Sequence, residues 1–175
     1  MWWKDDPETL PSLKYCVQSD KDLAVRQAVV KELALGWKND QKILPWLKQF
    51  AQSDDNWDVR RTAVQKLAWG WKDDQETLPW LKQCAQSDQN LAVRQAAVKE
   101  LARGWKDDQE TLPWLKQCAQ SDENLAMRQV AVKELVFGWK DEPGILELIR
   151  DRAQNDRNQQ LREFAQQKLV ELEGQ

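Results

Sequence analysis

Between Trp71 and Gly104, apolar residues fall into two runs of helical spacing separated by a polar turn. Leu78, Leu81, Cys84 and Ala85 mark the first run, helix A. Leu91, Val93, Ala97, Val98 and Leu101 mark the second, helix B, and Gln86-Ser87-Asp88-Gln89-Asn90 is the turn between them. The polar stretch Lys72-Asp73-Asp74-Gln75-Glu76-Thr77 precedes helix A and carries two competing start signals. Asp73 with Glu76 has the spacing of a capping box, whereas Pro7 and Pro143 at the matching places elsewhere point to Asp6 and Glu142 as caps. Pro11, Pro45, Pro79 and Pro113 lie in the early part of helix A, which must therefore kink there or begin just before them. Helix B is expected to stop at Gly104 in the left-handed conformation, with Trp105 folding back over apolar surface.

This unit is copied along the chain. Trp3, Trp37, Trp71, Trp105 and Trp139 stand 34 residues apart, and their surroundings return with them. Such a period marks a repeat array. The copies beginning at Trp71 and Trp105 are nearly identical, while copies one, two and five have drifted, which favours a natural duplication over a designed consensus array. Neither helix can bury its apolar side alone, so each pair must cover the next. The expectation is an all-α, right-handed α-α superhelix of about five helix pairs, one domain over residues 1–175. The units run near 3–36, 37–70, 71–104, 105–138 and 139–175. The last is polar, with Glu147 in place of the proline and Leu172-Glu173 in place of Gly-Trp, and reads as a C-terminal cap. Met1-Trp2-Trp3 begins at a joint with no helix before it, so these residues either fold over the first pair or leave a sticky end suited to a homodimer.

Two polar residues recur in every copy: Asp20, Asp54, Asp88, Asp122 and Asp156, and Arg26, Arg60, Arg94, Arg128 and Arg162. The Asp falls in the turn, where it can cap helix B, and the Arg falls in the first turns of that helix, within reach of its own Asp or a neighbour's. One pair repeated five times reads as a structural ladder rather than a set of active sites. Asp88, Val93-Arg94, Ala97 and Leu101, with a proline in the first helix, resemble a HEAT repeat over essentially the whole chain. The Gly-Trp-Lys-Asp-Asp joint resembles repeats at the C-terminal ends of bacterial, particularly cyanobacterial, NACHT-type NTPases. No glycine-rich phosphate loop accompanies it.

Charge and composition narrow the chemistry. The chain has a net charge of -3 with both signs interleaved, no histidine and three cysteines in 175 residues. That surface is neither a nucleic-acid nor a membrane footprint. Without an apolar span or signal-peptide core, the expected location is cytoplasmic. Cys16, Cys84 and Cys118 share one position in their copies and read as reduced packing thiols; no metal or other cofactor is expected.

The HEAT resemblance implies that the second helices line a concave face. Counting about 100° per residue from Ala97 places Gln95, Lys99 and Arg103 on the side opposite the core. The corresponding residues are Lys31 and Leu35, then Arg61, Gln65 and Trp69, then Gln129, Lys133 and Phe137. The last column, Leu35, Trp69, Arg103, Phe137 and Glu171, varies where other columns repeat, and aromatic and Arg side chains commonly anchor interfaces. Trp46, Trp80 and Trp114 lie at the edge of the buried stripe and read as packing between A helices, and Trp57 as packing at the entry to helix B. The function expected is a non-enzymatic scaffold or sensor module holding an acidic or mixed-charge protein or peptide. The alternative is a HEAT-like enzyme or enzyme subunit: similar solenoids include phycobilin lyases and DNA alkylation-repair glycosylases. The modest charge of the face argues against a nucleic-acid partner.

Overall fold

A computed structural model describes residues 6–173; the proposed N-terminal contact of Met1, Trp2 and Trp3 lies outside them. The described residues form ten α-helices in five consecutive pairs. The A helices are α1 (Thr9–Ser19), α3 (Ile43–Ser53), α5 (Thr77–Ser87), α7 (Thr111–Ser121) and α9 (Ile145–Asn155). The B helices are α2 (Leu23–Gly36), α4 (Trp57–Gly70), α6 (Leu91–Gly104), α8 (Leu125–Trp139) and α10 (Gln159–Glu173). Among the described residues, no helix is long and apolar enough to cross a membrane.

The chain divides into two compact units, Met1–Ala97 and Val98–Gln175, with the boundary inside α6. In the first, α1 packs on α2, α3 on α4, and α2 directly on α4, over a core that includes Val30, Leu33, Leu47, Val59, Leu67 and Leu81. In the second, α7 packs on α8, α9 on α10, and α8 on α10, around Leu115, Val132, Leu135, Ile145, Ile149 and Leu161. All twelve of these side chains are fully buried, as the period of the apolar residues requires.

The proline question resolves in favour of a late start. Pro11, Pro45, Pro79 and Pro113 occupy the third residue of their helices, where an amide has no intrahelical acceptor and its loss costs no bond. Upstream, the backbone turns once after the joint Trp. In the third copy the Asp74 amide donates to the Trp71 carbonyl at 3.2 Å, and the Thr77 amide donates to the Asp74 carbonyl at 3.0 Å. The Asp74 carboxylate accepts from the Glu76 amide at 3.1 Å, so Asp74, not Asp73, organises this start. The fifth copy builds the same corner differently. Pro143-Gly144 forms a type II turn, with Gly144 at φ 82 and the Ile145 amide donating to the Glu142 carbonyl at 3.2 Å.

Two local expectations are corrected. Gly144 is the one described glycine with positive φ; Gly70 and Gly104 stay helical, and the joint Trp71 closes α4 with φ -127. The turn Asp does not cap helix B. Asp22, Asn56, Asn90, Asn124 and Asn158 do so, each accepting the amide two residues on. The repeated Asp accepts the amide of that capping residue instead, for example Asn90 to Asp88 at 2.7 Å.

Within each compact unit the ladder ties a turn to the one that follows. Arg60 Nη1 donates to the Asp54 carbonyl of its own turn at 2.8 Å, while Nε and Nη2 grip the Asp88 carboxylate of the following copy at 3.0 and 2.9 Å. Arg128 repeats this with Asp122 at 2.8 Å and Asp156 at 3.1 and 2.9 Å, also donating to the Glu123 carbonyl. Arg26 reaches Asp54 through one bond at 3.2 Å. The side-chain hydrogen bond to Asp88, working against burial, raises the pKa of Arg60 above its already high value. Burial pushes the Asp156 carboxyl up, but hydrogen bonds from Arg128 and the Asn158 amide outweigh it and hold the group below its usual range. A planar guanidinium with fixed N–H directions suits this double task, which an ammonium could not perform.

Candidate functional site

Every residue assigned from sequence to the outer side of the B helices reaches solvent at least in part. Lys31, Leu35, Gln65, Trp69, Arg103, Lys133 and Phe137 are exposed, and Arg61, Gln95, Lys99 and Gln129 are half-buried. Leu35 is 52% exposed, Trp69 66% and Phe137 80%, values that remove any role in sealing their own unit. Their position explains this: each lies in the last turn of its helix, beyond the stripe formed in α8 by Met127, Ala131 and Leu135. Large apolar side chains left in water at such places commonly mark contact sites.

In the first unit, the face is held by polar bonds between neighbouring B helices. Gln27 of α2 donates to the Asp58 carboxylate of α4 at 2.7 Å, and Asp58 also pairs with Arg61. Arg61 lies over the ring of Trp57, 5.3 Å from its centroid. Trp57 is 40% exposed, so it is less buried than packing alone required. It does not merge with Trp69: at about 1.5 Å per residue the two ends of α4 are roughly 18 Å apart. In the second unit, Arg103 points to Glu134 of α8 at 3.8 Å; Glu134 is itself buried. Phe137 and Glu171, two members of the variable column, meet at a cavity of about 310 Å³ between α8 and α10. Lys133, Val136, Lys140, Lys168 and Leu172 complete its wall.

The aromatic row on the A helices is graded rather than uniform. Trp80 is buried, whereas Trp46 is half-buried, stacked on Phe50 with centroids 5.5 Å apart and covered by Lys14 at 5.2 Å. Trp114 is half-buried. Partners on its own protein occupy the Trp46 ring and Trp80 is buried, so neither is an open stacking surface.

Cavities at the joints went unforeseen in the sequence. One of about 550 Å³ lies among Asp40, Leu44, Pro45, Lys48, Trp71 and Asp74 in the first unit. Another of about 530 Å³ lies among Lys106, Asp108, Leu112, Pro113, Trp139 and Glu142 in the second. The signal was present in the repeated Trp-Lys-Asp-Asp, but depth at a joint depends on how two successive turns meet. Two of the three thiols, Cys84 and Cys118, are buried. Burial, reinforced by Asp88 and Asp122 respectively, pushes Cys84 and Cys118 up to about 12.

The sequence profile of HEAT repeats matches residues 1–68, 44–136 and 78–169, which together span nearly the whole chain. No curated protein matches the sequence. Among solved structures, one chain of the complex of CpcE and CpcF of phycocyanin lyase from Nostoc sp. PCC7120 is similar. The likeness has a TM-score of 0.62 at 18% identity, covering 93% of this chain and 99% of that one. It corrects the expectation of a non-enzymatic module. The neighbour belongs to an enzyme assembly, so the lack of a catalytic motif no longer separates this architecture from enzymes.

Proposed function

The chain belongs to the HEAT-repeat family, and from that premise we propose that it is a subunit of a lyase-type assembly that holds a protein partner on the exposed face of its B helices. The observation that carries this reading is the match, end to end, with a chain of a phycocyanin lyase complex. The exposed apolar column supports it from within the molecule. Leu35 and Trp69 hold one position in the first two copies and Phe137 holds it in the fourth, so each compact unit offers an apolar anchor on its B helices. The reaction in view is attachment of a bilin to an acceptor protein, and the column is the surface that orients the acceptor.

The test is co-expression with a bilin and its acceptor protein, followed by absorbance of the denatured acceptor. Attached chromophore that survives denaturation, and that is lost when Trp69→Ala and Phe137→Ala are combined, is the expected result. An acceptor that stays colourless, or is coloured equally without this chain, refutes the proposal. The NACHT-type sensor reading has no observation of its own in the structure.

A further inference from the structure

The cavity between α8 and α10 joins a hollow to an excess of positive charge. Its apolar wall is Val136, Phe137 and Leu172, and three lysines, Lys133, Lys140 and Lys168, stand around it against a single carboxylate, Glu171. Glu171 is engaged by Lys168 at 2.6 and 2.7 Å, and the lining as a whole is positive in a chain whose total is -3. Phe137, the most exposed large apolar residue among those described, forms one edge. The joint cavities carry the opposite balance: Asp40, Asp74 and Glu76 against Lys38 and Lys48 in one, and Asp107, Asp108, Asp141 and Glu142 against Lys106 in the other.

We propose that this cavity is a docking site for an acidic protein segment that inserts one apolar side chain between α8 and α10 while its carboxylates meet the lysine rim. The volume of about 310 Å³, at the lower end of the range of ligand pockets, accommodates one large apolar side chain. Opposite charge on the rim speeds encounter and rejects basic segments. Phe137, at the edge of the cavity, supplies apolar surface that the inserted side chain would remove from water. This site narrows the proposed protein-binding face to a seat of defined chemistry and rests on that reading.

The experiment uses the full chain and a fluorescein-labelled synthetic peptide with a single Leu-Phe pair flanked on both sides by glutamates. Its controls are the same peptide with lysines for the glutamates and one with Ser-Ser for Leu-Phe, followed by anisotropy. Saturable binding of the acidic peptide alone is expected, weakened about tenfold or more by Phe137→Ala or by Lys133→Glu. Circular dichroism verifies that each variant is folded. Equal binding of the lysine peptide, or no loss in either folded variant, overturns the site. Dodecanoate binding that depends on Phe137 without any peptide binding also overturns it, in favour of a small amphipathic acid. So does a Phe137-dependent dimer in light scattering without peptide binding, in favour of a second copy. Failure here with bilin attachment still dependent on Trp69 removes only this seat, whereas loss of attachment altogether removes the wider reading.

Discussion

Arg128 and Phe137 belong to the same helix and obey opposite rules. Arg128 is 2% exposed, with its guanidinium shared between two turn carbonyls and the Asp156 carboxylate, and its counterparts recur in every copy. Phe137 is 80% exposed, and its counterparts are Leu, Trp, Arg and Glu. The first turns of α8 are constrained from two sides, by the preceding turn and by the next copy. In the last turn Trp139 is buried at the joint, but Phe137 on its outer side is held by neither. Repetition along this chain therefore tracks where a residue must satisfy two neighbours at once, and variation tracks where the protein leaves a side chain for something else.

The largest effect should come from breaking the constrained end. Arg128→Ala strands Asp156, 1% exposed on its side chain, without its main counter-charge, and should cost about 3–5 kcal/mol in urea unfolding. Arg26→Ala, whose pair has one bond and side chains 15% and 6% exposed, should cost clearly less. Equal losses would show that burial does not grade the ladder.

A pH series sharpens the same contrast. The folded pKa of Asp156 lies below its unfolded value, so its contribution is complete above the unfolded pKa, about 4, and is lost as pH falls through that value toward the folded one. Urea midpoints measured from pH 7 to 3 should fall more steeply for the native chain than for Arg128→Ala, in which the depression is removed. Parallel curves would remove Asp156 from the acid sensitivity.

The two kinds of glycine give a smaller effect of opposite sign. Gly144→Ala should destabilise by about 1–2 kcal/mol, because φ 82 is costly for a residue with a Cβ. Gly104→Ala should stabilise by about 0.5–1 kcal/mol, because the position is helical and an added Cβ would meet nothing within 4 Å. The smallest effect belongs to the exposed end. Trp69→Ala and Phe137→Ala should each shift stability by less than about 0.5 kcal/mol. A loss above 2 kcal/mol in either would reassign that residue to packing.

Much of this was legible in the residues alone. A 34-residue period, two helical runs per copy, an Asp in every turn and an Arg in every helix B sufficed for helix pairs and for side chains at Leu35, Trp69, Arg103 and Phe137 that reach water. Angular position on a helix follows from counting, and burial follows from angle. Three-dimensional packing had to settle whatever joins residues from different helices or depends on backbone torsion. It joined Arg60 to Asp88, moved the cap from Asp88 to Asn90, kept Gly104 helical, and opened a lysine-rimmed hollow between α8 and α10. Hydrogen-bond partners and cavities are set by distances of a few tenths of an ångström between segments far apart in the chain, and periodicity carries no information at that scale.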